Sequence, residues 1–386
     1  MVRRVSDRHL RLGIVCYPSV GGSGVVATEI AIRAARAGHD VHLLSYGRPA
    51  RLHEAVPGLR YHEVQVSGYP LFRYPPYDLA LATRMAEVHE EAAIDVWHVH
   101  YAIPHAVSAW LARAMGAREL RFVTTLHGTD ITVVGADRAY ARPTRFALEQ
   151  STEVTAVSRF LADETVIAFG SRKPIEVVPN FVDTVLFAPG TQGRYWARAD
   201  HERRIVHASN FRPVKRVGDT VRAFAQIAAE LPARLWLVGE GPDREHALAI
   251  AADLGVADRV EAPGVKNQHE LAELLADADL FLSTSETESF GLSMLEAMSC
   301  GVPCVSTRVG GVPEVFGGTG RLVPLGDLGA MARAAIELLS DPDQHRVVGE
   351  ESRARAVAEY RAENILERYL ALYRRVASGP ERHPVA

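Results

Sequence analysis

The chain has 386 residues, room for two domains at about 100–200 residues each. Hydrophobic residues make up 47% and charged residues 23%, which excludes disorder as the main state. Lys and Arg number 43 against 47 Asp and Glu, a formal net charge of −4, so no nucleic acid or acidic membrane is expected as a partner.

No run of about 18 apolar residues occurs, so no transmembrane helix is expected. The start, Met1 to Leu10, is basic but lacks the apolar stretch of a signal peptide. Cys16, Cys300 and Cys304 cannot all pair with one another, and a reduced, cytoplasmic setting is expected. Cys300-x-x-x-Cys304 has no second Cys/His pair at ligand spacing and reads as two small buried side chains.

Short β-rich runs alternate with helical patterns. Leu12–Cys16 reads as a buried strand, followed by a helix from about Gly24 to Ala37 that Gly38 stops. Strands follow at Val41–Ser45, Val96–Val99, Phe122–Leu126, Val154–Val157 and Ile175–Val178. This alternation predicts a doubly wound parallel sheet. It stalls between Pro179 and Arg204, where Pro189, Gly190 and Gly193 mark a linker or long loop. It restarts with Ile205–Ala208, Leu235–Val238, Leu280–Ser283 and Cys304–Ser306, a second parallel α/β domain. From Asp341 onward the chain reads as helix, and the tail after Ala377 as disordered. The expected fold class is α/β, with domains at 1–182 and 183–360 and a last helix at about 361–378 packing back on the first. Ligands bind at the carboxyl ends of parallel strands, so the two domains are expected to face each other across a cleft.

The loops after strands carry the chemistry. Gly22-Ser23-Gly24 lets backbone N–H groups approach a sugar or phosphate. Gly22-Ser-Gly-Val-Val-Ala27 also matches a dinucleotide fingerprint, but the acid such a site needs after the second strand is missing. His98-Val-His100 has no carboxylate at ligand spacing, which argues against a metal. His127, at the end of Phe122–Leu126, would point at a ligand, with Gly128 giving backbone freedom. Asn210-Phe-Arg212-Pro-Val-Lys215-Arg216 concentrates cations that suit a diphosphate. Asp277-Ala-Asp279 lies at the wrong end of its strand for a metal–diphosphate site and reads as helix-end and surface acids. Glu288 and Glu296 form an E-x7-E pattern around Ser-Phe290-Gly291-Leu292, whose N–H groups open a helix and favour an anion.

Together these motifs resemble the retaining glycosyltransferases of family 4, which have the GT-B architecture of two Rossmann-like domains. The resemblance covers about residues 11–376. A narrower match lies in Cys16–Gly24, Tyr74–Leu79, His100–His105, Thr124–Asp130, Ser209–Arg212 and Val214–Arg216. These segments resemble the branch of the family that transfers GlcNAc from UDP-GlcNAc to L-malate, the opening step of bacillithiol biosynthesis.

That resemblance implies a site. Lys215 and Asn210 or Arg212 would hold the diphosphate, with Gly22, Ser23 and the backbone of Phe290, Gly291 and Leu292 also on the donor. Glu296 would hold the ribose, Glu288 the sugar hydroxyls, and His127 the sugar near the reacting carbon. His127, Glu288 and Lys215 are the implied catalytic set. A related inositol-phosphate transferase binds its acceptor through Tyr, Thr and Arg, so Tyr101, Thr129 and Arg145 would meet the malate carboxylates, with Thr125 as a substitute for Thr129. Asn210 stands where that relative has an arginine. UDP-GlcNAc is a co-substrate, and neither a cofactor nor a metal is implied. A homodimer or homotetramer stays open, as do another acceptor, a 2-epimerase-like isomerase and a non-catalytic sugar-nucleotide sensor.

Overall fold

The computed structural model describes residues 9–379 apart from 20, 69, 72, 134–136 and 191–201. The chain divides into two compact units, Met1–Pro179 with Ile365–Ala386, and Asn180–Asn364.

The first unit runs β1 (Arg11–Val15), α1 (Ser23–Arg36), β2 (Asp40–Ser45), β3 (Leu59–Glu63), α2 (Tyr77–Ala92), β4 (Val96–His100), α3 (Val107–Ala114), β5 (Phe122–Leu126), α4 (Ala141–Gln150), β6 (Glu153–Ala156), α5 (Arg159–Phe169) and β7 (Ile175–Val177). Its sheet has the order β3-β2-β1-β4-β5-β6-β7 with every pairing parallel. The central strands β4 and β5 are buried at every residue, with β-branched and aromatic side chains that include Val96, Trp97 and Val99 in β4 and Phe122 and Val123 in β5, while His98 and His100 are buried polar exceptions. Gly13 in β1 is a packing requirement, since a Cβ there would lie 2.3 Å from the Trp97 ring of β4.

The second unit runs β8 (Arg203–Ala208), α6 (Val217–Glu230), β9 (Ala233–Val238), α7 (Arg244–Asp253), β10 (Val260–Gly264), α8 (Gln268–Ala276), β11 (Leu280–Ser283), α9 (Leu292–Ser299), β12 (Cys304–Thr307), α10 (Val312–Phe316), β13 (Arg321–Val323), α11 (Leu328–Ser340) and α12 (Pro342–Glu359). Its parallel sheet has the order β10-β9-β8-β11-β12-β13. Its core gathers Phe224 and Ile227 of α6, Leu235 and Leu237 of β9, Leu282 of β11 and Met331 and Leu338 of α11. The last helix, α13 (Ala362–Ser378), belongs to the first unit from Ile365, and there Tyr369 and Tyr373 are fully buried.

The two doubly wound sheets match the expected fold class. Three strands lack a sequence signal: β3, β10 and β13. All three are sheet edges with half-exposed residues, so no apolar run marks them. Asp279 corrects the reading of Asp277-Ala-Asp279 as surface acids. It is fully buried, and its carboxylate accepts from the Arg204 N–H at 2.8 Å, tying β11 to β8. Asp277 does end a helix, α8, and pairs with the Arg204 guanidinium. Helix α13 reaches Ser378, one residue into the expected tail, and the tail from 380 lies outside the described residues. Gly193 of the expected linker does too. Among the described residues, no helix is long and apolar enough to cross a membrane.

Candidate active site

A doubly wound sheet opens a crevice where its strand order reverses. In the second unit that point lies between β8 and β11. The loop after β8 is held from below by His207. Its Nδ1–H donates to the Leu282 carbonyl at 2.9 Å, which leaves Nε2 to accept from the Ser209 hydroxyl at 2.8 Å. Ser209 Oγ in turn accepts from the Phe211 N–H at 3.3 Å. Burial pushes His207 down to about 4, so the ring is neutral at physiological pH. Gly239 and Gly241 lie against the other side, where a Cβ would come 1.9 Å from the Ser209 carbonyl oxygen and 2.1 Å from that of Asn210.

This loop presents Asn210 and Arg212 exposed. Lys215 ends a short helical turn, Pro213–Lys215, and its Nζ donates to Glu288 Oε2 at 2.5 Å. Ser285 Oγ donates to the same oxygen at 3.5 Å. A lysine ammonium has further N–H groups, and Glu288 keeps its second oxygen. Arg216 takes no such position: its guanidinium is paired with Asp219 in the first turn of α6, at 2.6 Å. Glu288 is fixed at its backbone as well, where its carbonyl accepts from the Gly311 N–H at 2.9 Å. Gly310 beside it admits no side chain, since a Cβ would lie 2.0 Å from that carbonyl oxygen.

Gly291 caps α9 with φ 99, a left-handed conformation natural to glycine. The opening N–H groups of α9 have no partner within the helix. Phe290 is buried, edge-on to Tyr360 at 5.6 Å. Glu296 lies inside α9 and is only 6% exposed.

In the first unit the order reverses between β1 and β4. Gly22 caps α1 with φ 62, and the space where its Cβ would stand is open. Gly24 instead packs tightly, a Cβ there meeting the Tyr17 carbonyl oxygen at 2.6 Å. Ser23 is buried and donates to the Tyr101 hydroxyl at 2.8 Å, joining the glycine loop to the end of β4. Tyr101 itself has φ 86, strained for a residue with a side chain. Around it stand Tyr17, with ring centres 5.4 Å apart, and His127, at 5.2 Å.

His127 follows β5. Its N–H and that of Gly128 donate to Asp130 Oδ1 at 3.1 and 3.0 Å, while Oδ2 accepts from the Ala102 N–H at 3.0 Å. Asp130 thus ties the loop after β5 to the loop after β4. Burial raises its carboxyl to about 6 despite these amide donors. His127 Nε2 lies 2.8 Å from His100 Nδ1. Burial, then neighbouring His105, pushes His127 down to about 3.

The structure removes Thr125 from the acceptor set. Its side chain is fully buried and its hydroxyl meets His98 Nε2 and Thr155 Oγ1, each at 2.6 Å, so no face is left for a ligand. Arg145 lies on α4, where its largely exposed guanidinium pairs with Glu149 at 3.3 Å. Thr129 opens the turn that follows His127 and Gly128. Asp130, Ser209, His207 and Ser285 also shape the site. Their signal was weak, since each acts on a neighbour's backbone or side chain.

Two family models match the chain: "Glycosyltransferase Family 4" over residues 20–186 and "Glycosyl transferases group 1" over residues 202–341. N-acetyl-alpha-D-glucosaminyl L-malate synthase of Bacillus anthracis is 47% identical over 369 residues, 94% of this chain and 96% of that protein. Among solved structures, sucrose-phosphate synthase of Thermosynechococcus elongatus superposes with a TM-score of 0.80 at 22% identity, over 95% of this chain and 98% of that one. Anabaena HepE in complex with UDP and glucose superposes with a TM-score of 0.79 at 20% identity, over 94% of this chain and 99% of that one. These two neighbours share the fold, and the near-full-length relative supplies the kinship: the chain belongs to the family 4 glycosyltransferases and has their GT-B fold.

Proposed function

We propose that this glycosyltransferase moves GlcNAc from UDP-GlcNAc to the hydroxyl of L-malate, with retention at the anomeric carbon. One observation carries the choice of substrates: the 47% identity, over 94% of the chain, to a protein named for that synthesis. The geometry at each switch point supports a division of labour. The second unit takes the nucleotide sugar, and the first takes malate and the reacting end of the sugar.

In this reading the C1–O bond to UDP breaks as the malate oxygen bonds to C1 on the same face. The malate hydroxyl proton passes to the departing phosphate oxygen. Negative charge grows on the diphosphate, and Lys215, Arg212, Asn210 and the N–H groups of Phe290, Gly291 and Leu292 stabilise it. Such fixed dipoles and cations need no reorganisation during reaction. Glu288 uses its second oxygen for the sugar hydroxyls, and Glu296 takes the ribose. Gly22, whose side-chain space is open, and Ser23 border the donor. Tyr101, Thr129 and Arg145 take the malate carboxylates. Lys215 and the α9 dipole supply the charge that a divalent cation supplies elsewhere, so no metal or other cofactor is assigned.

The test is direct. The protein is incubated with UDP-GlcNAc, alone and with L-malate or inositol phosphate, and UDP release and product mass are followed. Malate-dependent UDP release with a GlcNAc-malate product is expected. Malate-independent turnover, a preference for inositol phosphate, or no turnover would overturn the reading.

A further inference from the structure

The alternation of β4 puts His98 and His100 on one face of the strand. His98 uses both ring nitrogens, Nδ1 with the Tyr373 hydroxyl and Nε2 with Thr125, each at 2.6 Å. His100 does not. It is fully buried, Nδ1 meets His127 Nε2 at 2.8 Å, and Nε2 is buried with no hydrogen-bond partner among the described residues.

One proton fills the contact between the two rings, and its position is decided by that orphan nitrogen. Suppose His127 Nε2 carries the proton. A neutral His100 must then hold its own proton on Nε2, a buried N–H with no acceptor. Suppose instead that His100 Nδ1 carries it. The orphan is then only a bare lone pair. Buried donors without acceptors are the rarer and costlier of the two. Both rings are neutral, since burial and neighbouring histidines hold His100 and His127 well below the ordinary imidazole range. The arrangement therefore runs from His100 Nδ1–H to His127 Nε2, and the proton of His127 sits on Nδ1.

We infer that His100 is a positioning residue that fixes the tautomer of His127, so that His127 meets the donor sugar as a hydrogen-bond donor from Nδ1. This rests on the proposed placement of His127 at the sugar. Among the described residues Nδ1 of His127 has no partner of its own. The backbone of His127 is held by its amide N–H bond to Asp130 at 3.1 Å, and the ring by the contact of its Nε2 with His100 Nδ1 at 2.8 Å and by stacking on His100, with centres 5.1 Å apart and planes 25° apart. A donor at Nδ1 suits a sugar hydroxyl or ring oxygen. It also bars His127 from taking the acceptor's proton at that atom, in keeping with a phosphate oxygen as base.

The test combines a spectrum with substitutions in the full-length chain. With histidine rings labelled by nitrogen-15, two-bond proton–nitrogen spectra distinguish the tautomers, and the His127 signals are identified by their loss in His127→Gln. Protonated Nδ1 and bare Nε2 on His127 are expected; a protonated Nε2 overturns the inference. An asparagine amide can replace the Nδ1–H of His100, whereas leucine cannot. His100→Asn should therefore hold kcat/KM within a few-fold, and His100→Leu should lose about 100-fold, the scale of a misplaced catalytic contact. Equal activity of the two variants overturns the positioning role, and the wild-type spectrum still decides the tautomer if the leucine variant fails to fold. A His127→Ala enzyme with full turnover would defeat the sugar contact itself, a failure distinct from a wrong tautomer.

Discussion

Lys215 and Glu288 are joined by a half-buried ion pair, so neither is a simple point charge waiting for a ligand. Lys215→Ala leaves Glu288 without its cation, and Glu288→Ala leaves Lys215 without its anchor. Each is expected to lower kcat by about 100-fold, the scale of a lost transition-state contact. The double variant should lose far less than the product of the two losses, because residues acting as a unit are not additive. Steady-state kinetics of the three variants checks this, and near-normal turnover in either single variant would remove that residue from the site. Thr125 makes the opposite case. Thr125→Val should destabilise the fold by about 1–3 kcal/mol through unpaired partners. It should leave the KM for malate unchanged, and a raised KM would return Thr125 to the acceptor set. No motif distinguishes Thr125 from Thr129, since both are threonines beside the same histidine. Burial alone separates them.

At the scale of elements, the strand-end loops owe their shape to glycines that follow neighbouring strands. Gly239 follows β9 with φ 129 and lies against the loop after β8. Gly239→Ala combines an unfavourable backbone angle with a clash at the Ser209 carbonyl. It is expected to cost roughly 1–3 kcal/mol and to raise the KM for the sugar nucleotide. A thermal melt and donor kinetics test both parts; an unchanged donor KM would show that the loop does not carry the diphosphate site. The central strands were legible because burial on both faces demands continuous apolar runs, as in Leu280–Ser283. The edges were not. Leu59-Arg-Tyr-His-Glu63 faces solvent along one side, and nothing local separates it from a polar loop.

For the whole molecule, buried neutral histidines set the response to acid. Burial lowers His98 to about 3, and His105 and His207 to about 4, from an ordinary value of 6.5. The unfolded chain binds these protons as pH falls below 6.5, while the native chain resists until near 3–4. Their contribution to stability is complete above about pH 6.5 and is lost as pH falls, with a slope of up to about 1.4 kcal/mol per pH unit for each group. Asp130, raised from 3.8 to about 6, acts in the opposite sense: its contribution is present below 3.8 and is lost as pH rises through 6. Three histidines outweigh one carboxyl, so the unfolding midpoint should be lower at pH 5 than at pH 7.5. An equal or higher midpoint at pH 5 would contradict the neutral, buried assignment. A second whole-enzyme expectation concerns metal: turnover should survive excess chelator, and its loss with rescue by a divalent cation would show that Lys215 and α9 do not suffice.

Composition, strand periodicity and the position of each motif after a strand were enough to determine two doubly wound sheets and to place the candidate motifs in the loops that follow their strands. These are local properties, since a buried strand needs apolar residues and a close backbone approach needs glycine. Only the tertiary structure decided which side chains share a hydrogen bond. Lys215 meets Glu288 across 73 residues, and His98 meets Tyr373 across 275. It also decided that Thr125 is occupied, that Asp279 is buried, and that Nε2 of His100 is left without a partner among the described residues. Such outcomes depend on which donor and acceptor the packed chain brings within about 3 Å, and no local pattern encodes that.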